Sequence, residues 1–346
     1  MTSNWLFLIR LLLLLLLLLA SVVVGYGYWS STRALDPGSD IYLVERGSGI
    51  SQLARKLMER KVIGEPYSLN ALAYAKGYIR DIKAGEYRFD RGITLSRLLK
   101  QTVDGKVVQY PITIIEGWTF KQVNSALQTA PKLQHTLIGK NDGQLIELLK
   151  PPPPYLEGMF FPDTYFYSAG TKDFDVLRQA YRRMSDHLMG EWTKRPKETI
   201  LQSPEEVLIL ASVIEKETGR PDERALISAV FHNRLKRGMR LQTDPTVIYG
   251  LGENFDGNLT RKHLNLDTPY NTYIHKGLPP TPISMPGSQS LHAALNPADT
   301  KALYFVARGD GSHEFSSTLK SHIQAVVQYQ LERKTKSSSS SAVKNN

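Results

Sequence analysis

Ser203-Pro204-Glu205-Glu206-Val207-Leu208-Ile209-Leu210-Ala211-Ser212-Val213-Ile214-Glu215-Lys216-Glu217-Thr218 reads as a helix built to be buried. Ser203 can cap its first turn, Pro204 suits a position whose N–H would be unpaired anyway, and Glu206 completes a capping box. From Val207 to Ile214 only Ser212 breaks the apolar run, so the helix is apolar nearly all round and belongs inside a core. Gly219, with Pro221 beyond, stops it. Two acids close the helix, Glu215 and Glu217. At roughly 100° per residue with Val207 at zero, Glu215 falls near ~80° and Glu217 near ~280°, on opposite flanks of the apolar face. They are therefore not a paired-carboxylate site: one faces a cleft while the other packs or pairs structurally. An acid at a helix C-terminus ordinarily sits at the surface or in a salt bridge, because the helix dipole disfavours it there. Apolar surroundings would raise its pKa toward neutrality, which is what a general acid needs.

The 346-residue chain is 41% hydrophobic and 22% charged, enough for about two folded domains without a disulfide or metal staple. It has no cysteine, which removes thiol catalysis, disulfides and Cys-ligated zinc. The formal charge is +10, but the basic residues are scattered, with no aromatic-interleaved stripe, so nucleic acid is not the expected partner. A basic face near anionic lipid or wall polymer fits better. Eight histidines, from His135 to His322, show no metal-ligand spacing and read as surface or packing residues. There is no nucleophile elbow and no phosphate loop, and no cofactor or metal is implied.

Leu11–Tyr28 is almost purely apolar, led by Leu11–Leu19, long enough to span a bilayer once. Arg10 and the terminal amine lie on the short side, which places the N-terminus in the cytoplasm and everything after Ser30 outside it. A cleaved signal peptide is the competing reading, against which stand the length of the run and the lack of an Ala-x-Ala site after Ala20. The expected layout is a stub and anchor over 1–34, an α+β module over 35–110, a connecting segment over 111–154, a larger mixed α/β domain over 155–333 and a disordered Ser-rich tail over 334–346. Pro151–Pro154 is a stiff break on the approach to that larger domain. Within the module, a strand at Ile41–Glu45, a helix with Ile50, Leu53, Ala54 and Leu57 on one face, a helix at Tyr67–Lys76 and a strand at Gly85–Phe89 give a β-α-α-β order. This order resembles a LysM module, the common peptidoglycan-binding fold. A Gly followed by a hydroxyl residue precedes an apolar helical run at Gly49, Gly92 and Gly117. This weak repeat reads either as a hydroxyl N-cap used three times or as a sugar-binding element.

Ala211–Thr218, Gly238–Gly250, Pro269–Tyr273 and Gly277–Ile283 together resemble the endolytic murein transglycosylase, or YceG-like, family, over nearly the whole chain. The resemblance implies a LysM-like module below a catalytic domain. The implied reaction cuts the β-1,4 bond between N-acetylmuramic acid and N-acetylglucosamine inside a peptidoglycan strand and leaves a 1,6-anhydro end. It acts on nascent strands to end their elongation. The family's acid falls on the second Glu of Glu-Lys-Glu-Thr, here Glu217. Such a reaction needs one carboxyl group rather than the usual two, because the sugar's own 6-hydroxyl replaces water as nucleophile. Gln242, Thr243 and Asp244 would offer hydrogen bonds to the glycan, and Tyr249, Tyr270 and Tyr273 would stack on sugar faces. Asn271 and Thr272 would steady an acetamido group or orient Glu217, with Glu157 and Asp163 on the far wall. Asp244-Pro245 and Tyr270-Asn271 also read as plain turns. The partners implied are glycan strands and peptidoglycan synthases at the cell inner membrane, with the catalytic domain periplasmic. Two rivals stand beside this reading: a non-catalytic wall-binding scaffold, and a two-carboxylate muramidase with Asp244 as second acid.

The orientation is testable directly. Alkaline phosphatase folds only where disulfides can form, so fusing it after Asn346 should give an active enzyme. An inactive fusion would refute the orientation, and a mature chain beginning beyond Ser21 would show that the segment is cleaved.

Overall fold

A computed structural model of the chain describes residues 2–331. The tail read over 334–346 lies outside the described residues. Helix α1 (Thr2–Thr32) carries the leucine run, and Trp5–Thr32, with mean hydropathy 3.0, is long and apolar enough to cross a membrane. At ~1.5 Å per residue α1 is about 46 Å long, against a hydrocarbon layer of about 30 Å. Arg10 lies within this helix rather than ahead of it, so Leu11–Tyr28 is the middle of a longer apolar rod.

The chain packs into two compact units. The first runs to Tyr110 and takes in Phe166–Thr171; the second holds Pro111–Tyr165 and the chain from Lys172 onward. Residues 111–154 are thus part of the second unit rather than a connector. Pro151–Pro154 lies inside that unit, where the Tyr181 hydroxyl donates to the Pro151 carbonyl at 2.7 Å. A proline run stiffens the backbone and removes its donors, but its carbonyls still bond and it still packs.

In the first unit, β2 (Ile41–Val44) pairs antiparallel with β3 (Gly85–Arg88), Ile41 opposite Arg88. Between them come α2 (Ile50–Glu59) and α3 (Tyr67–Ala75), in the strand-helix-helix-strand order read from the sequence. Ile50, Leu53, Ala54 and Leu57 of α2 are all buried, as their spacing requires. A second antiparallel pair, β1 (Ala34–Leu35) with β4 (Ile93–Thr94), leads into α4 (Leu95–Asp104). The hydroxyl-cap reading holds at two of its three sites. Thr94 accepts from the Arg97 N–H, and Thr119 forms a capping box with Gln122. At the first site Gly49 is itself the cap, and Ser51 turns away to bond Asn70.

Two strands, β5 (Tyr110–Thr113) and β6 (Thr164–Tyr167), lie where the chain changes unit. The second unit is otherwise helical up to a late hairpin. It contains α5 (Phe120–Thr129), α6 (Asp142–Leu148), α7 (Asp173–Thr193), α8 (Pro204–Glu217), α9 (Arg224–Lys236), α10 (Asp244–Leu251), α11 (Arg261–Leu264) and α12 (Ser288–Leu295). The hairpin pairs β7 (Tyr304–Ala307) with β8 (His313–Ser316), and α13 (Leu319–Val326) follows. Among the described residues every sheet has two strands, so the chain mixes α and β as α+β, and the larger mixed domain is mostly helical. Its core is α8 itself: Val207–Ile214 are all buried, and α7, α9, α10 and α12 pack around them.

Helix α8 starts where the sequence places it, with Ser203 accepting from the Glu206 N–H at 3.2 Å. Glu206 does not return the bond to Ser203; its carboxylate takes the Gln202 N–H at 2.6 Å instead. The helix ends at Glu217, with Thr218 extended, two residues before the expected Gly219. Ser212, the one polar residue of the buried stretch, donates to the Ile209 carbonyl at 2.7 Å and accepts from the Ile283 N–H at 3.0 Å. Its own carbonyl accepts from the Ser284 hydroxyl at 3.1 Å, so nothing polar is stranded by burying this face. Leu210→Ala should cost about 2–5 kcal/mol of unfolding free energy and Ser203→Ala about 1 kcal/mol, measured by chemical denaturation. Equal costs for the two would show that α8 is not the buried centre of this unit.

Candidate active site

The two acids that end α8 have separate fates. Glu215 is almost fully buried, 3.3 Å from the Arg224 guanidinium, and its other oxygen accepts the Gly287 N–H at 2.9 Å. Arg224 is held by the Ser290 hydroxyl at 3.1 Å and the Gln289 side-chain carbonyl at 2.9 Å. Glu215 is therefore a structural tie between α8, α9 and the start of α12.

Glu217 leaves the opposite flank and opens into a cleft of about 480 Å3. The cleft is also lined by Gln242, Thr243, Asp244, Tyr273, Arg234 and His313, with Tyr304 and His322 beyond. Its floor is a chain of hydroxyls. The Thr243 hydroxyl donates to the Glu217 carboxylate, and the Thr243 N–H donates to the Thr272 hydroxyl at 3.1 Å. Thr246 meets Thr272 at 2.9 Å and donates to the Thr243 carbonyl at 2.8 Å, so the threonine that touches Glu217 is fixed from behind. Gln242 precedes it with a φ of 51°, a left-handed conformation that a side-chain-bearing residue adopts only under constraint. That constraint is visible: the Gln242 N–H donates to the Thr272 carbonyl at 3.1 Å, and Arg234 reaches its amide oxygen at 3.3 Å. Arg234 also donates to the carbonyls of Leu241 at 2.7 Å and Leu303 at 2.6 Å, tying α9 to the cleft loop and the hairpin.

Enclosure away from water pushes the Glu217 carboxyl up to about 7. The Thr243 hydroxyl opposes this shift and the Asp244 charge adds to it, while His313 and Arg234 pull it down. Asp244 accepts the Tyr273 hydroxyl at 2.6 Å, and burial beside that carboxylate holds the phenol proton more tightly than usual. Near neutrality Glu217 can thus both give and take a proton.

The residues named from the sequence divide into three groups. Glu217, Gln242, Thr243, Asp244 and Tyr273 share the cleft. Asn271 and Thr272 are buried. Asn271 spends its amide N–H groups on the Leu264 and Leu266 carbonyls at 3.0 and 2.7 Å, and its oxygen on the Tyr273 N–H at 2.9 Å. With these bonds to backbone, it ties the loop. Thr272 acts on Glu217 only through Thr243. Glu157, Tyr249 and Tyr270 form a separate cluster that does not line the cleft. Tyr249 donates to Glu157 at 3.1 Å and meets the Tyr270 ring edge-on at 4.8 Å between centroids. Glu157, also pushed up to about 7 by burial, accepts the Phe120 N–H at 3.0 Å. Asp163 pairs with Arg183. Helical periodicity explains the split, since Tyr249 lies five residues beyond Asp244 on α10, well round the helix from it. Arg234, Tyr304, His313 and His322 also line the cleft but carry no sequence motif; Arg234 comes from the next helix, and the other three lie far from Glu217 in sequence.

The model of the YceG-like family matches residues 42–328. The chain belongs to that family. It is 32% identical to the endolytic murein transglycosylase of Bacillus subtilis over 83% of each chain. It is 27% identical to the endolytic murein transglycosylase of Streptococcus pneumoniae serotype 2, covering 93% of this chain and 65% of that one. The crystal structure of a yceG-like protein from Listeria monocytogenes, 30% identical, superposes with a TM-score of 0.53 over 83% of this chain and 98% of its own. In this YceG-like chain, Arg224→Ala would leave Glu215 a buried, uncompensated charge, and stability should fall by about 3–5 kcal/mol in denaturant unfolding. A loss under about 1 kcal/mol, the range of an exposed pair, would show that Glu215 is solvated.

Proposed function

We propose that this chain is an endolytic murein transglycosylase, a lyase that cuts within peptidoglycan glycan strands with Glu217 as its acid and base. One observation carries the reading. A carboxyl whose proton is held to about neutral pH opens into a roomy polar cleft, while the neighbouring Glu215 is locked in a structural pair.

The proposed step needs no water. Glu217 protonates the glycosidic oxygen between N-acetylmuramic acid and N-acetylglucosamine, and the bond from that oxygen to the muramic C1 breaks. The muramic 6-hydroxyl oxygen bonds to C1, and its proton passes to the Glu217 carboxylate. One strand then ends in a 1,6-anhydro sugar and the other in a free 4-hydroxyl, with Glu217 protonated as at the start. Thr243 orients the carboxyl; Gln242, Asp244 and Tyr273 hold the sugars. The first unit, LysM-like in its strand-helix-helix-strand order, supplies glycan binding. Helix α1 anchors the protein as a single span of the cell inner membrane, with the N-terminus cytoplasmic and the rest of the chain periplasmic. There the enzyme would cut nascent strands beside the peptidoglycan synthases and end their elongation.

Glu217→Gln keeps the shape but removes the exchangeable proton. Since one group serves twice, turnover on purified glycan strands should fall at least ~10²–10⁴-fold with folding intact by circular dichroism. Glu215→Gln should act on stability instead. Because the acid must be protonated, kcat/KM should be level below pH about 7 and fall about tenfold per unit above it. Reducing ends in place of anhydro ends, identified by mass spectrometry, would overturn this reading in favour of hydrolysis.

A further inference from the structure

His313 stands at the start of β8 and lines the cleft that Glu217 opens into. Its ring is gripped on one side. Nδ1 lies 2.7 Å from one oxygen of Glu223, and the His313 N–H donates to the other oxygen at 2.8 Å. Glu223 is buried at the N-terminal end of α9. A carboxylate can only accept, so Nδ1 carries the hydrogen and the second ring nitrogen, Nε2, is left for the cleft. Among the described residues Nε2 has no hydrogen-bond partner. The ring is fixed in plane by Phe305, edge-on at 5.4 Å between centroids and 89°, and by Phe315 at 6.4 Å.

The same glutamate also reaches the end of α8. The Thr218 hydroxyl donates to Glu223 at 3.4 Å, and Thr218 is the cap residue directly after Glu217. One buried carboxylate thus joins the helix that delivers Glu217 to the strand that delivers His313. Paired this way, a histidine has a fixed tautomer and a fixed place, and only its charge is left to vary.

Building on the reading of Glu217 as the acid, we propose that the Glu223–His313 pair is a positioning element for it: the imidazole, held by Glu223, sets the pH range over which Glu217 keeps its proton. The groups facing Glu217 are Thr243 and Asp244 at the start of α10, Arg234 on α9, Tyr273 on the loop before α12, and His313 on β8, with Tyr304 on β7 and His322 on α13 along the same cleft. Arg234 stays cationic throughout, and Asp244 is tied to Tyr273. Two groups of this set are imidazoles: burial and the Arg234 charge disfavour the cation at His322, whereas His313 is paired with the Glu223 carboxylate. As an imidazolium His313 favours the Glu217 carboxylate; as a neutral ring it releases that pull.

The test is the pH profile of kcat/KM on glycan strands at fixed ionic strength, for the wild type, His313→Gln, Glu223→Gln and the double variant. Glutamine at 313 can still bond Glu223 but carries no charge, so a purely structural role would leave the profile where it is. With the cation gone, Glu217 holds its proton longer, and the alkaline limb should move up by roughly one pH unit. Glu223→Gln should move the limb in the wild-type background and leave it still in the His313→Gln background, because it acts through the ring. An unmoved limb in folded His313→Gln overturns the proposal, as does an additive double variant. If His313→Gln fails to fold, an unmoved limb in Glu223→Gln does the same. Glu217→Gln, run alongside, separates the two readings: if it is active, the acid assignment fails; if it is inactive while the limbs stay fixed, only the role of the pair fails.

Discussion

Burying a helix on every side forces a choice on whatever polar groups it carries at its end. In α8 the stretch Val207–Ile214 is wholly enclosed, and each buried Leu or Ile side chain in it stabilises the fold by about 1.5–3 kcal/mol relative to exposure. That gain fixes the rotation and position of the helix in its unit. Once they are fixed, the carboxylates just beyond the apolar stretch cannot seek water freely. One has to be neutralised and the other has to open onto a cavity. Glu215 takes the first course with Arg224 and the Gly287 N–H; Glu217 takes the second.

The cleft is stiff for a related reason. Its wall at Gln242 and Thr243, just ahead of α10, is not a regular element, yet its backbone is held by buried threonines and the Arg234 guanidinium, and Asn271 ties the facing loop at Tyr273. These residues spend hydrogen bonds on backbone so that Thr243 can offer one hydroxyl to Glu217. The left-handed Gln242 shows that the surroundings dictate the local conformation, at a cost of order 1–3 kcal/mol. A site built this way reorganises little when a charge moves within it, which is the usual means by which enzymes stabilise a transition state.

The second carboxyl held up to about neutral, Glu157, shows that a raised pKa by itself does not mark a reacting group. Its oxygens are taken by the Phe120 N–H and the Tyr249 hydroxyl. Glu217 differs in opening onto a cleft with room for a ligand.

The sequence by itself determined what depends on local periodicity and local chemistry. The limits of α8 were legible to within two residues, and so was the opposition of its two acids, because 3.6-residue geometry is set within the helix. The strand and helix order of the first unit was legible for the same reason, as was the apolar length of α1. The cleft residues in the same loop as Thr243 were found because they belong to one short, motif-bearing block. Only the tertiary structure decided the rest. Which of Tyr249, Tyr270 and Tyr273 reaches the cleft depends on how α10 and its neighbouring loop are turned against α8. Whether Asn271 meets a ligand or the backbone depends on carbonyls several residues away that only the folded loop presents to it. Arg234 comes from the next helix, α9, and His313 from a hairpin far along the chain, and no spacing rule connects either of them to Glu217. Their place near Glu217 comes from buried polar groups finding partners across the unit, and that is a property of packing rather than of sequence order.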